Sequence, residues 1–228
     1  ADMSSDDVMV LDAEARTEAP QGLVRPIGGH MPEGVVVSPD GRHAWVDLRN
    51  SGSVRALRLE PSPEGLAVTV DGEAIARMAA DPMPPTLRLG QRMFFSANSS
   101  ETPITQNFWV ACASCHVENR SDAVTWLFRT GPRDTPSNAG GTLGTGPLLR
   151  TSALRTVDDY WRIITDEQGG DGEGFRDDPA LRPLLTAIVD YVNLAVPFPV
   201  PPTTNPALVA RGREIFHRPS VGCATCHA

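Results

Sequence analysis

The four cysteines of this 228-residue chain fall in two segments of one pattern, Cys112-Ala113-Ser114-Cys115-His116 and Cys223-Ala224-Thr225-Cys226-His227, with none left over. In C-x-x-C-H the two thiols are spaced to add to the two vinyl groups of one porphyrin, and the adjacent imidazole is set to bind iron from the same side. The other common use of paired cysteines is a zinc ribbon. A ribbon wants its pairs about 15–20 residues apart and no histidine behind each. Here roughly a hundred residues intervene and a histidine follows both pairs. The expectation is two covalently attached c-type haems, tethered by Cys112, Cys115, Cys223 and Cys226, with His116 and His227 as proximal iron ligands.

What such irons do depends on their opposite face: a second His or Met closes the coordination sphere, whereas an open position admits a substrate. Between Val117 and Phe216 there is neither methionine nor histidine. The segment after the first motif therefore supplies no ligand of these types. His217, His30 and Met93 are the distal candidates from elsewhere, each with a plainer reading: His217 as a loop residue, His30 as part of a strand-rich segment with Met31, and Met93 as a helix core residue. Met78 and Met83 fall in a linker, and His43 on a strand surface. Arg129 and Arg133 are placed to pair with haem propionates or to lie solvated. Trp109, Trp126 and Trp161 with Tyr160 are either electron relays or aromatic packing against the porphyrin. Asp171, Glu173, Asp177 and Asp178 gather in a glycine-rich loop that would suit calcium, although the spacing is not that of an EF-hand and a solvated acidic loop is the simpler reading.

These residues must be positioned by two kinds of element. Up to residue 80 the chain alternates short apolar runs with Gly, Pro, Asn and Asp, which predicts antiparallel strands, with Ser38-Pro39-Asp40-Gly41 as a tight turn. From Pro82 the pattern changes to amphipathic helices: LRLGQRMFF before the first motif, TVDDYWRIITDE and PALRPLLTAIVDYVNLA after it, and NPALVARGREIF ahead of the second. The run PFPVPPTTNP is a second linker.

The chain is 40% hydrophobic with 21 prolines and 20 glycines, which indicates short elements joined by ordered loops rather than disorder. The formal charge is −8, and all 20 basic residues are arginine. This excludes nucleic acid as the natural partner and favours a partner with a basic face. No run reaches the roughly 18 apolar residues of a membrane-spanning helix. Haem attachment of this type happens outside the cytoplasm, so a periplasmic or extracellular location is expected.

From about Leu87 onward the chain resembles the di-haem cytochrome c peroxidase superfamily, which includes the methylamine dehydrogenase maturation enzymes. The resemblance is carried by LGQRMFF, ACASCHVENRSDAVTW, the Gly131 to Ser137 element GPRDTPS, and ARGREIFHRPSVGCATCHA. The stretch GHMPEGVVVSPDGRHAWVDL resembles one repeat of a YVTN-type β-propeller, a module fused to some members. Where many relatives carry Trp-Asp-Gly-Arg, this chain has Leu148-Leu149-Arg150-Thr151-Ser152, so the tryptophan credited with passing electrons between haems has no match here. The chain ends one residue after His227, before the family's second haem domain would be complete, and reads as a fragment.

The expected class is α+β: mainly α cytochrome c-type haem domains, two in number with the second incomplete, behind an antiparallel propeller-blade-like segment. The boundaries are 1–80, 81–198 and 199–228. The resemblance implies that electrons from a small cytochrome or cupredoxin reach the second haem and pass to the first, which reduces hydrogen peroxide or a related oxidant. The rival is a non-catalytic electron-transfer subunit of a larger redox assembly, with both irons six-coordinate.

Overall fold

The computed structural model describes residues 3–12, 14, 16–63, 65–76, 80–128, 131–141, 146–149, 152, 154–197 and 205–226. The chain divides into two units, Ala1–Pro197 and Phe198–Ala228.

The first unit opens with six strands: β1 (Val8–Asp12), β2 (Thr17–Val24), β3 (Pro32–Val37), β4 (His43–Leu48), β5 (Ser53–Ser62) and β6 (Gly65–Ala76), arranged β1-β2-β6-β5-β4-β3. β3 to β6 form a continuous antiparallel meander. One parallel pairing, Gln21 with Ala67, joins β2 to it. β4 shows why these residues make a sheet: Ala44, Val46 and Leu48 are buried while Trp45 is exposed, the period-two pattern of a strand with one wet face. With Ile27, Leu57, Leu59 and Val68 they form the sheet's core. The β3–β4 turn is the predicted one: Gly41 N donates 2.9 Å to Ser38 O with Gly41 at φ +68°, and Asp40 Oδ1 accepts from Ser38 Oγ and Arg42 N.

Beyond residue 80 the first unit carries α1 (Pro85–Phe95), α2 (Cys112–Cys115), a hairpin of β7 (Thr125–Phe128) and β8 (Gly131–Asp134), then α3 (Trp161–Asp166), α4 (Gly172–Asp177) and α5 (Arg182–Asp190), which runs into a π turn over Tyr191–Ala195. Pro85 at the first helical position suits α1, because its missing N–H would have been unpaired there anyway. α1 buries Met93, Phe94 and Phe95 against Ile104, Ile164, Phe175, Leu185, Ile188, Tyr191 and Val192. Met31, from the loop before β3, is buried in the same cluster. α1 and α5 touch at Gly90, where a Cβ would fall 1.9 Å from the Ala187 carbonyl oxygen.

The second unit contains α6 (Pro206–Phe216), capped by Asn205 Oδ1, which accepts from Ala207 N at 3.0 Å. A 3-10 turn follows over Cys223–Thr225. The linker expected at 197–206 lies largely outside the described residues.

The class is α+β, and the expectation of mainly α haem domains is corrected. Helix makes up only 32%. The longest α-helices among the described residues have 11 residues. The physical cause is local. Prolines and glycines cut the helical stretches short, and Thr125-Trp126-Leu127-Phe128, rich in strand-forming types, closes a hairpin inside residues 81–198, the span expected to be a mainly α domain. No helix among the described residues is long and apolar enough to cross a membrane.

Candidate functional site

The first cysteine pair occupies a single closed helical turn. His116 N donates to Cys112 O at 3.0 Å, Ser114 N to Ala111 O at 3.0 Å, and Ala111 N to Ser114 Oγ at 3.1 Å. Cys112 and Cys115, three apart on this turn, share a face, and His116 ends the helix directly after them. Cys112 packs with Ala113 against the helical core, and burial pushes its thiol up to about 12. Burial also raises the Cys115 thiol, with the Asp122 and Glu167 carboxylates adding to it.

Gln168 reaches this turn from the loop after α3. Its Oε1 accepts from Cys112 Sγ at 3.7 Å, and its Nε2 donates to Val110 O at 3.3 Å. Its own carbonyl accepts from Thr105 Oγ1 at 2.9 Å. Nothing in the spacing signalled this residue, which lies 56 positions from Cys112.

His116 lies 6.2 Å from the Phe94 ring, centroid to centroid. Burial holds its pKa below the ordinary histidine value, against the opposing pull of the Pro136 backbone and the Asp122 carboxylate. Its Nδ1 is buried with no hydrogen-bond partner among the described residues. A neutral imidazole is the form that binds metals, so the residue fits the role of iron ligand.

The GPRDTPS element is folded back beside this turn by the β7–β8 hairpin. Thr135 and Pro136 reach Asp122 and His116, and Asn138 N donates 2.9 Å to Asn119 O. Asp122 Oδ2 accepts from Trp126 Nε1 at 2.7 Å. Arg133 faces Trp126 across the hairpin, and its Nη1 donates to Pro132 O at 3.1 Å. Trp109, Val117, Val124, Trp126 and Leu127 are all exposed, Trp109 by 75% and Leu127 by 87%. Apolar side chains left wet on both sides of a C-x-x-C-H turn are the surface a porphyrin would cover.

The remaining candidates are spread out. Met93 is buried with Met31 in the cluster against which Cys112 packs. His30 is turned to Asp6, 3.0 Å from Nδ1 to Oδ2. His43 stacks on Trp45 at 6.2 Å. Trp161 carries the guanidinium of Arg176 at 4.5 Å. Met78 and Arg129 lie outside the described residues. In the acidic loop the carboxylates serve separate bonds: Asp171 caps α4 by accepting from Gly174 N at 2.8 Å, Glu173 accepts from Thr165, Asp177 pairs with Arg176, and Asp178 accepts from Ala180 N.

In the second unit Gly222, at φ +78°, starts the turn that carries Cys223, and Cys226 N donates 3.3 Å to Cys223 O. Cys223 is half-buried and Cys226 exposed, and His227 lies outside the described residues. His217 ends α6 with its ring edge-on to Phe216 at 5.3 Å.

Comparison with family models, with curated proteins and with solved structures finds no match to this chain.

Proposed function

We propose that this chain is a di-haem c-type cytochrome that carries electrons and reduces hydrogen peroxide or a related oxidant at its first haem. The observation that carries the reading is the closed Cys112–Cys115 turn. It presents two thiols on one face with a buried neutral imidazole behind them, and apolar side chains on either side lack cover. Cys112 and Cys115 would hold the porphyrin edge by thioether bonds, and His116 would bind the iron. Cys223, Cys226 and His227 would repeat the arrangement. When bound, each haem supplies an iron that takes up and gives up single electrons and, where its sixth position is open, binds an oxidant.

The chain's own residues do the rest. Gln168 and the core fix the rotamer of Cys112. Asp122 pins the Trp126 indole through the bond from its Nε1, holding an exposed aromatic face beside the hairpin. Arg133, opposite Trp126, offers its guanidinium to a propionate. In this reading electrons come from a small cytochrome or cupredoxin at the second motif, in the periplasm or outside the cell.

A second reading, electron transfer without catalysis, is favoured by Met93 and Met31. Their thioethers are buried in the core on which the first motif packs, and a thioether is one of the groups that would ligate a haem iron that carries electrons without binding an oxidant.

The test is haem content by the pyridine haemochrome assay, followed by electron paramagnetic resonance and peroxide turnover with a reduced donor cytochrome. Two haems per chain, a high-spin signal that binds cyanide, and turnover abolished by His116→Ala are the expected results. Two low-spin haems with no turnover in either redox state establish the second reading instead. Haem content well below two overturns both.

A further inference from the structure

The chain leaves His116 through two residues in the left-handed region, Glu118 at φ +51° and Asn119 at φ +59°. Asparagine tolerates that region because its short side chain can bond its own surroundings. The Asn119 amide reaches much further: Nδ2 donates 2.8 Å to Tyr191 Oη, 72 positions along the chain, and both residues are buried. Its Oδ1 is buried with no partner among the described residues. A glycine would take this backbone with less strain and would leave no orphaned oxygen. What asparagine supplies here is the bond to Tyr191.

The Asn119 main chain ties two more segments to the same point. Its N–H donates 2.9 Å to His116 O, and its carbonyl accepts 2.9 Å from Asn138 N. The turn out of the first motif, the loop after β8 and the end of α5 therefore meet at one residue.

Tyr191 reaches His116 by a second route. Its ring lies 5.6 Å from the Phe94 ring, and Phe94 lies 6.2 Å from the His116 ring, centroid to centroid. The contacts close a circuit: the His116 main chain runs through Asn119 to the Tyr191 hydroxyl, and the Tyr191 ring runs through Phe94 to the His116 imidazole. Tyr191 also opens the π turn that ends α5, a widening of the helix that recurs at functional sites. A histidine held by its main chain and by its ring from one buried residue has little freedom to turn.

We propose that Asn119 and Tyr191 are a positioning pair that fixes the rotation of the His116 imidazole, so that it meets the iron of the first haem with its plane in one orientation. The inference rests on the reading of His116 as that iron's ligand. Groups beyond a ligating imidazole set its orientation, and through it the electronic character of the metal.

The haem-loaded full chain is compared with three variants. Asn119→Gly keeps the left-handed backbone and removes the amide, Tyr191→Phe keeps the ring and removes the hydroxyl, and the third combines them. The ferric proteins are read by the paramagnetically shifted proton resonances of the haem methyls, whose spread follows the plane of the ligating imidazole. Each single variant should shift the methyls of one haem and leave the other haem's in place, and the double variant should shift them no further than a single one does. Unmoved methyl resonances, with or without a drop in melting temperature, overturn the proposal, because a merely structural bond would lower stability alone. Shifts that add in the double variant overturn it as well. A chain that takes up no haem overturns the reading of His116 as a ligand. The pair is then read in the haem-free chain by proton cross-relaxation between the His116 and Phe94 rings, which should weaken in both single variants; an unchanged signal overturns the pairing.

Discussion

Gln168 ties Cys112 to the segment before it: one amide accepts from the Cys112 thiol at 3.7 Å and donates to Val110 O at 3.3 Å. The bridge joins the loop after α3 to the residues leading into the C-x-x-C-H turn, and Gln168 itself is buried. Replacing Gln168 by Leu leaves the Val110 carbonyl and the thiol without their partner. The expected cost is about 1–3 kcal/mol of unfolding free energy, read from urea denaturation. An unchanged midpoint would mean that the amide only fills space.

The two first-motif thiols should react unequally. Burial raises both, Cys112 to about 12. In the haem-free chain at neutral pH, iodoacetamide should label Cys115 faster than Cys112, and mass spectrometry after brief exposure reads the order. The same shift has a consequence in base. The unfolded Cys112 ionises near 9.0 while the folded one holds its proton to about 12, so the stability tied to it is whole below pH 9.0 and is lost as the pH rises toward 12. Cys112→Ala should lessen that loss.

His116 works in the opposite direction. Its folded pKa lies below the ordinary 6.5, so the unfolded chain binds the proton more readily. The stability it supports is present above 6.5 and is lost as the pH falls through the folded value. The haem-free His116→Phe variant should unfold at lower pH than the parent in an acid titration followed by circular dichroism. Equal acid midpoints would assign the sensitivity to other groups.

Gly90 and Gly212 predict changes of opposite sign. A methyl at Gly90 meets the Ala187 carbonyl at 1.9 Å, backbone against backbone, so Gly90→Ala should cost about 2 kcal/mol or more by forcing α1 off α5. At Gly212, inside α6, a methyl meets nothing within 4 Å. Gly212→Ala should therefore favour that helix by about 1 kcal/mol. Thermal melts of the two variants decide.

Much of the fold was legible because its signals are local. Alternation along His43–Leu48, the Ser38–Gly41 turn and the apolar face of α1 each depend on residues a few positions apart. The expectation of mainly α haem domains failed because Thr125–Phe128 and Gly131–Asp134, for which no element was predicted, pair as a hairpin, and strand pairing between separate segments leaves a weaker local signal than helical periodicity.

By itself the sequence determined which groups stand together within one turn of backbone: two thiols and an imidazole in Cys112–His116, because a spacing of three residues is a distance wherever a helix forms. Only the tertiary structure decided what surrounds them. It brought Gln168 to Cys112, the Pro136 backbone and Asp122 to His116, and the side chains of Asp6, His30 and Glu101 within 4.8 Å of one another. Those meetings join residues distant in the chain, and they exist only because burial of Met93, Phe94, Leu185 and Ile188 in one core folds the intervening segments onto each other.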